Sequence, residues 1–358
     1  MPGVLESFAD GCHPPQTPAI TFAQADGVAM KTVFVLGAGA SLDFDRSNQM
    51  PVGADLARMI RAALSNEIAA GSGDTSEDSV QRVLGISGGF FGVHKEAMHT
   101  IRDHIHTKDS IDDLVNEWAQ DRPEVAKVAK ICIARQILHA ERKSLMSPGA
   151  IESNGPGEVL NQLSNSWMGQ VHRRHRIGEN VRRRDLDDVF AGLSFVTFNY
   201  DRTIEQYLAL AYIALGGFTA DQAYAHIKRI PIHHVYGSLG ELGLTNAMPY
   251  GGYSDGLINA WQGIKTYNEE VGTEHASTIA EVVRQADKLV FLGLGYHPQN
   301  MRILFPEGKD YAAQTFCCTL GLSNRRHGEI GQLFSGKTLY FSEPCDSMIR
   351  SASDDLFY

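Results

Sequence analysis

Six short apolar runs rich in β-branched and aromatic residues constrain this chain most. They are KTVFVL from Lys31, SFVTFN (194–199), PIHHVYG (231–237), KLVFLG (288–293), QTFCCTLG (314–321) and KTLYF (337–341). Their length and composition suit strands buried within a sheet. Apolar residues at helical spacing separate the later runs, at Arg202–Leu215, Thr219–Lys228, Thr273–Gln285 and Ser323–Phe334. Each parallel strand pair needs a crossover, and this alternation supplies one. The pattern therefore predicts an α/β fold with a mostly parallel sheet of about six strands, covered on both faces.

The interval between the first and second runs is far longer than one crossover. After Pro51 the positions Val52, Leu56, Met59, Ile60, Ala63 and Leu64 keep helical spacing; GSGDTSED (71–78) and Gly85, Gly88 and Gly89 then interrupt it. A helix is predicted from Ser110, where S-I-D-D has the form of a capping box with Ile111, Leu114, Val115 and Trp118 on one face. Another starts near Pro123 with Val125, Val128, Ile131 and Leu138. A third runs from about Glu158 with Leu160, Leu163, Trp167 and Val171 inward. A helical insertion over about 67–190 thus follows the first strand–helix unit. Residues 1–29 contain Pro14, Pro15 and Pro18 and neither periodicity, and read as a disordered arm or a mis-assigned start before Met30. The domain is expected over 30–345, with a tail at 346–358.

The chain has 358 residues, 43% hydrophobic and 21% charged, a globular composition. Its net charge, 32 − 42 = −10, has the wrong sign for a surface that grips phosphate backbones, and argues against direct nucleic-acid binding. One basic cluster stands apart: His172–Arg176 with Arg182–Arg184 holds six arginines, followed by Asp185, Asp187 and Asp188. A solvated helix face is the default reading of such mixed charge; a docking surface for an acidic partner or a nucleic acid is the alternative, which the sign of the net charge disfavours. The five cysteines include no C-x-x-C pair, which argues against a disulfide framework or a thiolate zinc site and for a reducing cytoplasm. The longest clear apolar run, Tyr207–Leu215, is too short to span a membrane.

Four motifs stand at strand ends. Gly37-Ala38-Gly39-Ala40-Ser41 lies between a strand and a helix, where glycines let backbone approach a pyrophosphate. The dinucleotide fingerprint of ordinary dehydrogenases is incomplete, because Leu42 stands at its last glycine and Ala57 where an acidic residue is needed. Thr197-Phe198-Asn199-Tyr200-Asp201 offers an amide to orient a ribose or a water and a carboxylate to stabilise a developing cation. Taken alone, Asp201 reads rather as a cap of the helix that follows, a common use of Asp. In His233-His234-Val235-Tyr236-Gly237-Ser238, strand alternation places His234 and Tyr236 on one face and His233 on the other. A structural role is the ordinary reading of a lone histidine. Gly293-Leu294-Gly295-Tyr296-His297-Pro298-Gln299-Asn300 is a glycine turn suited to a close ribose or adenine contact.

In this order the motifs resemble the sirtuin-like NAD-binding family, in its prokaryotic defence-associated branch. GAGAS with the downstream Met50-Pro51-Val52-Gly53-Ala54-Asp55-Leu56, TFNYD, HVYGSLG, FLGLGYHPQN and Ser110-Ile111-Asp112 carry the likeness, which spans about Lys31 to Phe341. The resemblance implies a Rossmann-like sheet with NAD over its strand ends and cleavage of the nicotinamide–ribose bond. It implies catalytic roles for Asn199, His234, Asp201 and Asp112. Cofactor contacts are implied at Gly37, Ala38, Gly39, Ser41, Thr197, Tyr236, Gly237, Ser238, Gly293, Gly295, His297 and Asn300. Tyr236 stands where the family has a histidine, and His234 is the candidate to replace it. Deacylating sirtuins carry a zinc module whose cysteine set is missing here, so no zinc is expected and hydrolysis of NAD is favoured over protein deacylation. By the same analogy the enzyme is an anti-phage effector, gated by homo-oligomerisation or by a HerA-like ATPase, an Argonaute-type protein or a phage component. The alternative, which Tyr236 favours, is a catalytically silent sensor of NAD or ADP-ribose.

Overall fold

The computed structural model describes residues 30–357 except 46–49, 72–77, 87–90, 109, 179–189, 244–247, 253–255, 267–268, 270, 309–310, 312 and 335. The proposed arm at 1–29 and the arginines at 182–184 therefore lie outside the described residues. Strands β1 (Thr32–Leu36), β2 (Leu193–Thr197), β3 (Ile232–His234), β4 (Lys288–Leu292), β5 (Gln314–Cys318) and β6 (Thr338–Phe341) form one sheet. Every pairing is parallel, in the order β3-β2-β1-β4-β5-β6. This is the Rossmann order, and the apolar runs place all six strands.

Side-chain alternation splits the core into two layers. Val33, Val35, Val196, Leu289, Phe291 and Cys317 face one way, with Ile60, Leu64, Leu114, Val128 and Ile131 packed over them. Phe34, Leu36, Phe195, Val290, Leu292 and Phe316 face the other way, against Trp167, Tyr207, Leu208 and Met348. Strands apolar on both faces can be satisfied only by helices on both, which explains the large helical content around a small sheet.

Helix α1 (Ala38–Phe44) leaves the glycine turn and α2 (Gly53–Ala70) follows Pro51. The insertion then runs through helices Val80–Ile86, Phe91–His104, Ile111–Trp118, Pro123–Lys143, Pro148–Asn154, Pro156–Gln162 and Trp167–Gly178. Ser110 caps its helix by accepting the amide of Asp113 at 3.1 Å. The run expected as one helix from Glu158 breaks at a 3-10 turn, Leu163–Asn165. There the Ser166 hydroxyl bonds the carbonyl of Leu163 at 2.7 Å and accepts the amide of Gly169 at 3.1 Å. The segment read as a tail is instead part of the fold. Helices Cys345–Ser351 and Ser353–Phe357 bury Met348, Ile349, Ala352 and Leu356 in the second layer, and Lys288 Nζ donates to the carbonyl of Leu356 at 2.8 Å. Among the described residues no helix is long and apolar enough to cross a membrane.

Candidate functional site

The strand order reverses between β1 and β4, and in open α/β sheets ligands bind beyond the carboxyl ends of the strands at that switch point. A cleft of about 510 Å³ opens there. The GAGAS turn, Met50–Gly53, Ser110–Asp112, Phe198–Asp201, the turn from Gly293 and residues of the last two strand ends line it. Of the site residues expected from sequence, Gly37, Ala38, Gly39, Asp112, Asn199, Asp201, Gly293, Gly295, His297 and Asn300 line this one cleft.

Its floor is made of backbone. A Cβ on Gly293, which sits at φ +60°, would lie 2.1 Å from the amide nitrogen of Ala40; one on Gly39 would lie 2.9 Å from Gly293 Cα. The amide of Gly37 donates to the carbonyl of Leu292 at 2.9 Å and that of Gly39 to the carbonyl of Gly293 at 3.1 Å. The glycines thus serve first to bring the β1 and β4 turns into contact. Tyr296 holds φ +52° in the same turn, its buried hydroxyl donating to the carbonyl of Cys318 at 3.2 Å. A bulky residue kept in that region marks a backbone whose surroundings over-determine it.

One wall is a chain of buried polar side chains. The Asn199 amide donates to the Gly37 carbonyl at 2.9 Å and to Ser41 Oγ at 2.8 Å, and the Ser41 hydroxyl donates to Asp201 Oδ2 at 2.8 Å. Asp201 Oδ1 accepts the amide of Thr203, the first residue of the following helix, at 3.1 Å, so this carboxylate braces both the site and the helix start. Burial pushes the Asp201 pKa up, against the pull of its bonds from Thr203 and Ser41. Both amide hydrogens of Asn199 are engaged, which leaves its amide oxygen, an acceptor, as what it can offer a ligand. Ser41 and Thr197 act from beneath the lining, Thr197 Oγ1 accepting the amide of Asn199 at 3.1 Å.

The third motif departs from expectation. Strand β3 ends at His234, where the amide of Gly237 turns back to its carbonyl, so the two-residue alternation stops before Tyr236. His234 and Tyr236 consequently part company, and neither lines the cleft. His234 Nδ1 bonds the carbonyl of Asn199 at 2.9 Å and Nε2 bonds Glu205 Oε1 at 2.7 Å. A carbonyl and a carboxylate facing the two ring nitrogens suit a doubly protonated ring. Burial opposes that charge, but the Glu205 carboxylate and the bonds to it and to Asn199 lift the pKa above the ordinary imidazole value. Burial likewise opposes the charge on Glu205, yet His234 holds its pKa below the usual range. Tyr236 is buried in the other layer and donates to Asn300 Oδ1 at 2.8 Å. Gly237, at φ +74°, and Ser238 pack against the backbone of Gly263 and lie outside the cleft lining.

Three features escaped sequence reasoning. Arg202, next to Asp201, is fully buried and paired with Glu141 from the insertion, Nη2 lying 2.5 Å from Oε2; it also donates to the carbonyls of Met248 and Pro249. This clamp docks the insertion on the Asn199 turn, and a charged residue between an Asn-Tyr-Asp turn and an apolar helix was its only sequence signal. Glu205, as the partner of His234, had none. Cys318 and Cys345 line the cleft, and the place of Cys318 at a strand end was the available clue. Comparison with protein-family models, curated proteins and solved structures finds no match to this chain.

Proposed function

We propose that this chain is a sirtuin-like NAD glycohydrolase of the prokaryotic defence-associated kind, hydrolysing NAD to nicotinamide and ADP-ribose. The observation that carries the reading is convergence. Motifs from β1, β2, β4 and the insertion, far apart in sequence, line one cleft at the switch point of a Rossmann-ordered sheet.

The chemistry asks little of acid catalysis, since nicotinamide leaves a cationic ring as a neutral base. The site must hold the ribose and stabilise an oxocarbenium-like state while water adds. The Asn199 amide oxygen is suited to accept from a ribose hydroxyl or the attacking water, with Ser41 and Asp201 holding the amide in place. Asp112, half-buried in the lining, contributes negative potential, as does Asp201 from behind. His234 is a positioning residue in this reading, since its ring is engaged by Asn199 and Glu205. Cytoplasmic residence and gating by self-association, a HerA-like ATPase, an Argonaute-type protein or a phage component belong to the same proposal.

The engagement of His234 favours one second reading, a sensor that binds NAD or ADP-ribose without cleaving it. Incubating the purified full chain with NAD, alone and with proteins encoded beside it, and resolving nicotinamide from ADP-ribose separates the two. Release of both products, lost in Asn199→Ala, supports the hydrolase. Calorimetric binding of NAD without release under every condition supports the sensor. Absence of binding overturns both.

A further inference from the structure

Cys318 and Cys345 are left unused by the chemistry proposed above, and their placement sets them apart from Cys132 and Cys317. Cys318 is the last residue of β5, at the carboxyl end of the sheet; Cys345 opens the helix reached from β6 through Ser342, Glu343 and Pro344. The β5–β6 register pairs Cys318 with Phe341, and the chain then folds back so that both cysteines line the same cleft. Their thiols hydrogen-bond each other, and in its thiol form Cys318 Sγ also donates to the carbonyl of Glu343 at 3.4 Å. The backbone amide of Cys345 is anchored on Asp43 Oδ2 at 2.8 Å, which fixes the start of this helix against α1. Cys317, one residue along the strand, faces the opposite core layer, and Cys132 lies inside the insertion.

We propose that Cys318 and Cys345 form a reversible dithiol–disulfide site in the wall of the cleft, oxidised by a peroxide. The environment divides the labour between them. The hydrogen bond from Cys345 lowers the Cys318 thiol to about 6, against the effect of burial and with help from the amides of Leu320 and Gly293. That bond, burial and the Asp43 carboxylate raise the Cys345 thiol, so it stays protonated. A thiolate beside a protonated thiol is the arrangement of an attacking and a resolving cysteine. Burial pushes Cys132 and Cys317 up to about 12 and keeps them out of this chemistry.

The Cys318 thiolate attacks one peroxide oxygen, forming an S–O bond as the O–O bond breaks. Hydroxide leaves and takes up the proton that Cys318 had released, giving water. The Cys345 sulfur then attacks the sulfenic sulfur, the S–S bond forms, and the Cys345 proton leaves with the displaced hydroxide as a second water. Two thiols are oxidised and one peroxide is reduced to two waters. The new bond ties the end of β5 to the helix start beside Leu320, Leu322 and Gly293, all of which line the cleft. Oxidation should therefore weaken occupation of the cleft; this last step rests on the nucleotide reading above, whereas the disulfide does not.

The test treats the full chain with hydrogen peroxide under native conditions and maps its peptides by mass spectrometry without reduction. The expected result is a linked Cys318–Cys345 peptide pair, two hydrogens lighter than the separate peptides and reversed by dithiothreitol. Cys132 and Cys317 should remain reduced. In the untreated chain, iodoacetamide should label Cys318 at least about 10-fold faster than Cys132. In Cys345→Ser the sulfenic acid has no resolving partner, so dimedone should trap Cys318. Absence of the linked pair from the peroxide-treated wild type, or labelling of Cys318 no faster than Cys132, overturns the proposal, and neither readout depends on a variant folding. NAD titration of reduced and oxidised protein separates the remaining question: a linked pair with unchanged NAD affinity keeps the redox site and removes its effect on the cleft. A linked pair in a protein that binds no NAD in either state keeps the site and removes the nucleotide reading.

Discussion

The floor and the wall of the cleft are built in opposite ways. The floor, where the β1 and β4 turns meet, is backbone against backbone, and at Gly39 and Gly293 a Cβ would fall inside the space the opposing chain occupies. The wall beyond β2 is a set of buried side chains, Asn199 to Ser41 to Asp201, braced by the His234–Glu205 and Arg202–Glu141 pairs. A tight backbone contact tolerates almost no added atom, whereas a polar network can lose one member and keep its shape at the cost of an unsatisfied partner. Substitutions in the floor should thus act on the fold, and substitutions in the wall should divide between stability and chemistry.

The contrast breaks most readily at Gly293. Gly293→Val combines a positive φ with a clash on Ala40 and Gly39 backbone and should lower stability by at least about 4 kcal/mol, read as the urea midpoint; Gly39→Val should follow it in direction. A variant of near wild-type midpoint would mean that the floor yields. Next is Glu141→Gln, which leaves Arg202 charged and buried without its counter-ion, for a loss of about 3 kcal/mol. An unchanged midpoint would show that the Met248 and Pro249 carbonyls suffice.

At Asn199 the expected effect moves from stability to rate. If the chain hydrolyses NAD as proposed, nicotinamide release in Asn199→Ala should fall at least about 100-fold while the midpoint drops by only about 1–2 kcal/mol, and a wild-type rate would remove Asn199 from the chemistry. His234→Gln should cost about 1–2 kcal/mol, with a pH dependence of known sign. The folded pKa of His234 lies above 6.5, so its contribution is full below 6.5 and fades as the pH rises through the folded value. That of Glu205 lies below 4.5, so its contribution is full above 4.5 and fades as the pH falls through the folded value. The stability gap between wild type and variant should therefore be widest between pH 4.5 and 6.5 and narrow on either side. A gap independent of pH would mean that the ring is neutral. The smallest effect belongs to Tyr236→Phe, which removes the bond to Asn300 and should cost about 1 kcal/mol without a direct effect on rate, because the hydroxyl is buried behind the lining and reaches the cleft only through Asn300.

The departures at β3 show where local reasoning stops. Alternation holds along β1, with Phe34 and Leu36 in one layer and Val33 and Val35 in the other, because all four lie within five paired residues. The same rule misplaces Tyr236 relative to His234, because β3 ends after three residues in a turn whose signal, Gly237, takes its meaning from the distant Gly263 backbone.

Sequence alone settles the alternation of strand and helix, hence the parallel sheet, and the glycine, asparagine and histidine turns that end its strands, because periodicity and turn chemistry act over a few residues. The partners of each polar group at those turns depend on the assembled fold. Ser41 meets Asp201 across 160 positions, Glu141 meets Arg202 across 61, and His234 is drawn to Glu205 and away from the cleft. Burial makes an unpaired polar atom costly, so each group takes the nearest complementary one that tertiary packing brings to it, and spacing along the chain carries no record of that choice.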